Sequence, residues 1–336
     1  MRAAFVALSV CLPLVAAADG SILRTLDPAL SPDGQTLAFS WQGDVWTVSS
    51  AGGEAHRLTV HPATDEAPVW SPDGETIVFT SNRAGVQDLY RMSARGEDVR
   101  RLTWTGGNSY AYAFSPTGDW VYGQTNAFGR GNVFRVPSDG GEPVRLTVHP
   151  LEIQFTADVS PDGTKVAYCS GGSGGQWRKP QQGGSNTPDI WMASPTAPFS
   201  DLRPLTRNED LDMYPRFVTD RELLFMSNRS GAHNVWLSDA DGRNAKQLTR
   251  FNDGTVRALT ASRATRTYAF QRNSRVYVGA VDGGEPSVVA ITAPDDSRRP
   301  NTQSLTLTTG VTDFQPSPNG KRVLVQMRGD LFIAPE

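Results

Sequence analysis

Few residues of this 336-residue chain stand in patterns that could do chemistry. Gly171-Gly172-Ser173-Gly174-Gly175 spells G-x-S-x-G, the pattern of a serine nucleophile exposed on a sharp strand-to-helix turn. The downstream residues do not fit: positions 176–185 are rich in Gly, Pro and Gln and cannot supply the helix, so a loop is expected there. His61-Pro62 and His149-Pro150 recur within the same Leu-Thr-Val-His-Pro sequence, which raises the idea of a metal pair. His56 and His233 have no Cys or His at ligand spacing. The segment Trp177, Arg178 and Lys179 combines an aromatic with two cations. Since Trp and Arg commonly anchor interfaces, it is expected to contact another domain or a peptide. Ser81-Asn82-Arg83 and Ser227-Asn228-Arg229 read as one loop used twice, and the glycosylation sequon spelled by Asn228-Arg229-Ser230 as a chance match.

The elements that would position these residues come from an internal repeat. A turn recurs as Ser31-Pro32-Asp33-Gly34, Ser71-Pro72-Asp73-Gly74, Ser115-Pro116-Thr117-Gly118, Ser160-Pro161-Asp162-Gly163 and Ser317-Pro318-Asn319-Gly320. Proline presets φ at its second position, Asp or Asn suits the third, and Gly takes the left-handed conformation that closes a hairpin. An apolar run comes after it, such as Thr76-Ile77-Val78-Phe79. Next comes a polar residue, an aliphatic and an aromatic: Asp44-Val45-Trp46, Asp88-Leu89-Tyr90, Asn132-Val133-Phe134, Asp189-Ile190-Trp191, Asn234-Val235-Trp236, Arg275-Val276-Tyr277 and Asp330-Leu331-Phe332. Successive offsets are 44, 44, 57, 45, 41 and 55 residues, the length of a four-stranded propeller blade. Leu58-Thr59, Leu102-Thr103, Leu146-Thr147, Leu205-Thr206, Leu248-Thr249 and a weaker Ile291-Thr292 are expected as fourth strands.

The fold class predicted is therefore all-β: a six-bladed β-propeller of four-stranded antiparallel blades over residues 19–296, then a linker and an incomplete blade of a second propeller over 297–336. A seven-bladed ring that recruits residues 301–336 stays open. In a six-membered ring, blades one and three lie about 120 degrees apart, too far for His61 and His149 to share a zinc at about 2.0 Å. No metal and no cofactor are expected. The recurring aromatics are expected in the inter-blade core. Propeller geometry puts the insertion of residues 171–188 and the Val-His-Pro loops on one face, and the Ser-Pro-x-Gly turns on the other.

Gly 32 and Pro 23 fit a turn-rich chain. A net charge of −3 gives no basic field for nucleic acid. Arg2, the apolar residues 3–15 and Ala16-Ala17-Ala18 read as a cleavable signal peptide with a mature start at Asp19 and a periplasmic or secreted location. Nothing later approaches the roughly 20 apolar residues of a membrane helix. Cys11 would leave with the signal, and Leu8-Ser9-Val10 before it fits a lipoprotein signal poorly. Cys169 then has no disulfide partner.

Units of this form resemble the repeat shared by TolB, dipeptidyl-peptidase-type enzymes and tricorn proteases. Three features are similar to the tricorn family: Ile22-Leu23-Arg24 leading to Ser31-Pro32-Asp33-Gly34 and Gly43-Asp44-Val45-Trp46; the fourth-blade insertion with Gln176-Trp177-Arg178-Lys179; and Val311-Thr312-Asp313-Phe314 with Arg328-Gly329-Asp330-Leu331-Phe332, which resembles the start of that family's second propeller. The resemblance implies a non-catalytic propeller of an exported serine protease, a scaffold or gate for peptides. Its partners would be peptides or other domains and subunits of the protease, including a homo-oligomer of the full-length protein. The family's PDZ domain and catalytic Ser and His have no counterpart in these residues, so no catalytic residue is carried over. A stand-alone TolB-like interaction propeller and the propeller of a prolyl-oligopeptidase-like enzyme are the alternatives.

Overall fold

The computed structural model describes residues 22, 24–149, 151–171, 187–207, 210–294, 311–327 and 330–335. Among them there is no helix, and six four-stranded antiparallel sheets succeed one another along the chain. Each sheet is built from strands that follow one another in the chain, apart from the short Gly53–Glu54 strand that intervenes in the first, so each is one blade. The innermost strands are Leu26–Leu30, Asp65–Trp70, Ser109–Phe114, Gln154–Val159, Asp212–Thr219 and Arg257–Ser262. Each packs against the innermost strands of the blades on either side, and that of blade 6 against that of blade 1. The ring thus closes at six.

The repeated tetrapeptide makes the turn its composition demands. In blade 1 the Ser31 hydroxyl donates to Asp33 at 2.6 Å and accepts the Thr36 N–H at 2.9 Å, while the Gly34 N–H reaches the Ser31 carbonyl at 2.9 Å. Gly34 has φ +70°, which glycine adopts without a Cβ penalty. Ser71 and Ser160 repeat the arrangement.

The Leu-Thr pairs are not the fourth strands themselves. Those strands are His56–Arg57, Arg100–Arg101, Val144–Arg145, Arg203–Pro204, Lys246–Gln247 and Ser287–Val288, and Leu-Thr comes directly after the first five. The threonine forms a latch instead. Thr103 Oγ1 donates to buried Asp88 at 2.8 Å and accepts the Leu89 N–H at 3.0 Å, and Arg101 closes on the same Asp88 at 2.6 Å. Thr59, Thr147, Thr206 and Thr249 accept the corresponding N–H of blades 1, 3, 4 and 5. A hydroxyl wins here because it can donate and accept at once. Ile291-Thr292 has a separate role: it pairs in parallel with Gly53–Glu54 of blade 1. The Ala55 N–H also reaches Thr292 at 2.7 Å, and the Ile22 N–H reaches Ile291 at 2.7 Å. Among the described residues no blade exchanges a strand with another. The ring is clasped by this outer pairing and by the seam cluster of Leu30, Phe39, Trp41, Trp46, Val289 and Ile291.

The aromatics of the third strands lie in the packed interior as expected. Trp46, Tyr90 and Phe134 are buried, and Trp191, Trp236 and Tyr277 pack against buried clusters between blades. Residues 17–293 form one compact unit, and the strands Val311–Pro316, Arg322–Met327 and Asp330–Pro335 belong to a second, a three-stranded antiparallel sheet.

Candidate functional site

Five of the six innermost strands break their pairing in the same place. The register slips between Leu26 and Ala29, Glu66 and Val69, Phe155 and Asp158, Met213 and Arg216, and Arg257 and Thr260. Asp27, Ala67, Thr156, Tyr214 and Ala258 sit at those slips with φ between +43° and +55°. Blade 3 has a smaller slip between Ala111 and Ala113. A bulge turns its strand and re-aims a side chain, so this ring of bulges shapes the wall of the axial lumen. Pro28, Pro68 and Pro215 come directly after three of the bulged residues. Proline is tolerated there because an innermost strand is an edge strand whose outward N–H has no ladder partner.

The lumen holds a cavity of about 380 Å³ whose wall includes Pro28, Pro68, Trp70, Tyr112, Tyr214 and Arg216. Near the strand starts the wall carries the carboxyl of Asp27, with Glu66 behind it. Asp27 is surrounded by protein yet keeps partial exposure to the lumen; burial pushes its carboxyl above the usual range, against the opposing influence of the neighbouring Ala67 N–H and Ser40 hydroxyl, which bond to each other at 3.0 Å. Glu66 is raised by burial and then by the charge of Asp27, and it accepts a hydrogen bond from Gln87 at 3.1 Å. Burial also raises the phenols of Tyr112 and Tyr214; Tyr112 donates to Gln124 at 3.0 Å.

Further along the strands the wall is basic. Arg216 Nε donates to the Leu259 carbonyl at 2.8 Å, and its Nη1 donates to Ala157 at 3.1 Å and Pro215 at 3.3 Å. Arg263 reaches Asp158 at 3.3 Å and the Phe217 carbonyl at 3.2 Å, and the Phe217 N–H donates to Asp158 at 2.7 Å. Blades 4, 5 and 6 are therefore stapled together at the lumen by two arginines and one carboxylate.

The raised carboxyl of Asp27 has a measurable consequence. A carboxyl whose folded-state pKa lies above its unfolded value binds its proton more tightly when folded, so it weakens the fold at neutral pH and stops doing so as pH falls through the folded pKa. Asp27→Asn is expected to be the more stable protein at pH 8. Its advantage over wild type should shrink toward zero near pH 4 in parallel urea titrations; a gap independent of pH would rule the account out. His233 acts in the opposite sense. It is buried, burial and then Arg257 lower its pKa, and neither ring nitrogen has a hydrogen-bond partner. Its unfolded form takes up a proton below about pH 6.5 before the folded form does, so its contribution to stability falls on acidification.

Other residues that drew attention in the sequence have local work. His61 Nδ1 accepts the Ala63 N–H at 3.0 Å, and His149 Nδ1 accepts the Glu152 N–H at 2.9 Å, so each imidazole shapes its own loop. Among the described residues no group of three or more His, Cys, Asp and Glu is placed to hold a metal ion. The Ser-Asn-Arg loops carry an ion pair: Arg83 grips Asp65 at 2.9 and 2.7 Å, and Arg229 grips Asp212 at 3.0 and 2.9 Å. Asn228 Oδ1 accepts the Leu211 N–H at 2.7 Å. Cys169 is a free, buried thiol whose pKa burial pushes up to about 12, which keeps it protonated and unreactive. The expected interface residues Trp177, Arg178 and Lys179, and most of the Gly171–Gly175 sequence, lie outside the described residues. The lumen arginines were not singled out by sequence reasoning. The signal that could have found the bulges was a proline inside an otherwise strand-like run, at Asp27-Pro28, Ala67-Pro68 and Tyr214-Pro215.

A ring of six contiguous four-stranded blades around an axial lumen defines the class, a propeller fold of the kind also seen in TolB and several peptidases. The family model of the tricorn protease N-terminal beta propeller domain matches residues 24–285, and the chain belongs to that family. The crystal structure of the tricorn protease superposes with a TM-score of 0.67 at 18% identity, over 93% of this chain and 30% of that one. TolB from Acinetobacter baumannii superposes with a TM-score of 0.57 at 21% identity, over 71% of this chain and 57% of that one. In sequence, the uncharacterised peptidase YuxL of Bacillus subtilis (strain 168) is 48% identical over 62 residues, which is 17% of this chain and 9% of YuxL. The chain thus spans under a third of the tricorn protease chain and about a tenth of YuxL.

Proposed function

We propose that this chain is the non-catalytic propeller of an exported tricorn-like serine protease, a scaffold and gate that passes peptide substrates or products along its axis. The observation that carries the reading is the open lumen of a propeller in this family: a cavity of about 380 Å³ with an apolar, proline-rich wall interrupted by a few fixed charges. That combination suits a peptide, which presents apolar side chains and charged termini. The spelling of residues 2–18 supports export, with Asp19 as the mature start and the periplasm or cell exterior as location. The strands from Val311 to Pro335 are read as the opening of a second propeller. Trp177, Arg178 and Lys179 are assigned to contact with a neighbouring domain or a peptide.

The test is peptide turnover. Purified residues 19–336 should leave fluorogenic peptides uncut. In the product of the complete reading frame, Thr260→Trp, which fills the lumen from blade 6, should slow cleavage of a ten-residue peptide at least tenfold with melting unchanged. Cleavage by the chain alone would refute the non-catalytic assignment, and full activity of the Thr260→Trp protein would refute the gate.

A further inference from the structure

We infer that Arg216 is a carboxylate station inside the lumen, one that takes the C-terminal carboxylate of a short peptide. The proposal rests on the reading of the lumen as a peptide conduit and adds a ligand group and a place to it.

Two features together mark Arg216. The first is charge. Arg57, Arg83, Arg101, Arg229 and Arg263 each close on an aspartate, whereas Arg216 has no carboxylate within 4 Å among the described residues. Asp158, close by in blade 4, is engaged by the Phe217 N–H and by Arg263. An uncompensated cation away from bulk water is costly unless something neutralises it.

The second is geometry. Nε and Nη1 are tied to the Leu259, Ala157 and Pro215 carbonyls of three adjacent blades. This fixes the plane of the guanidinium. Nη2 donates to no described residue, and it is not among the buried polar atoms left without a partner, so it faces the cavity that Arg216 helps to line. A fixed, planar donor in a partly dehydrated cavity is what recognition of a planar oxyanion requires.

The surroundings choose the ligand class. Pro68, Val69 and Phe114 give the same cavity an apolar wall, which favours an organic carboxylate over a small hydrated anion. Asp27 makes the lumen acidic near the strand starts, and Glu66 lies close enough to feel its charge. Arg216 lies two residues beyond the bulged position that Asp27 occupies in blade 1, on the order of 6 to 7 Å along a strand. An anion is repelled from the acidic end and held at Arg216, so a peptide would lie with its carboxylate at Arg216 and its amino end toward Asp27.

The experiment is a titration of residues 19–336 by calorimetry with acetyl-Ala-Ala-Phe as the free acid, the same peptide as its amide, and inorganic phosphate. The acid is expected to bind at least tenfold tighter than the amide. Arg216→Gln should bring the acid down to the amide's affinity, and Arg216→Lys, which keeps charge but loses the fork, should retain part of the difference. Equal binding of acid and amide to wild type overturns the proposal, as does an Arg216→Gln protein that still discriminates. Phosphate binding as tightly as the acid overturns the assignment to peptides. If Arg216→Gln does not fold, the wild-type ratio and Arg216→Lys decide. Acid and amide binding alike would leave the conduit standing without its station. No binding of either would overturn the station, while the conduit itself is judged by the Thr260→Trp turnover.

Discussion

Arg83→Ala is expected to destabilise the propeller by about 3 to 5 kcal/mol. Asp65 is fully buried at the start of the blade 2 innermost strand. Both its carboxylate oxygens accept from Arg83, which is itself held by Ser81 and lies over the rings of Phe79 and Tyr90 at 5.4 and 4.8 Å. Removing the arginine leaves a charge in the interior with no counter-ion and opens the space above two packed rings. The pair need not be worth that much in itself, because taking two ions out of water offsets much of their attraction. A double mutant therefore separates the two contributions. Asp65→Ala with Arg83→Ala should recover at least 1 kcal/mol relative to Arg83→Ala alone, and Arg83→Lys should stay close to the alanine variant, since an ammonium cannot reproduce the paired contact. Chemical denaturation with a two-state fit reads all of these. A loss below 1 kcal/mol for Arg83→Ala would show that water reaches Asp65 and that the pair is effectively a surface one.

This ion pair also marks where the sequence stops being legible. The recurrence of Ser81-Asn82-Arg83 and Ser227-Asn228-Arg229 is plain, and reading it as a shared loop agrees with the structure. Its partners, Asp65 and Asp212, lie 18 and 17 residues earlier, across a hairpin whose register a pattern of residue types does not specify. The Ser-Pro-x-Gly turns and polar-aliphatic-aromatic strands were legible because each is local: the tetrapeptide dictates its own φ angles, and period-two alternation dictates which face is buried. Leu-Thr was legible as a recurring landmark and misread as a strand, because its threonine works through side-chain hydrogen bonds to an aspartate or asparagine about 15 residues back. The lumen was least legible. Arg216 gains its setting from carbonyls in three blades, and nothing near it in the chain reports that.

Closure of the ring is a second non-local matter, and Gly52 tests it. Gly52 has φ +96°, and a Cβ placed on it would stand 2.6 Å from the Ala290 carbonyl oxygen, the atom that accepts the Gly53 N–H at 2.9 Å in the clasp between blade 1 and the strand after blade 6. Gly52→Val therefore combines backbone strain of about 1 to 3 kcal/mol with displacement of that strand, and a total loss of about 3 kcal/mol or more is expected. Gly53 supplies the control. Its φ is +122°, and a Cβ there would meet nothing within 4 Å, so Gly53→Val carries strain without the clash. Since Trp41 and Trp46 pack edge-to-face at the blade 6 to blade 1 seam with centroids 5.2 Å apart, the Gly52→Val protein should also show red-shifted tryptophan emission under native conditions and faster proteolysis after blade 6. The difference between the two glycine variants measures the clasp. If both cost the same and neither shifts the emission, blade-to-blade packing alone closes the ring, and the pairing of Ile291–Thr292 with Gly53–Glu54 contributes nothing to it.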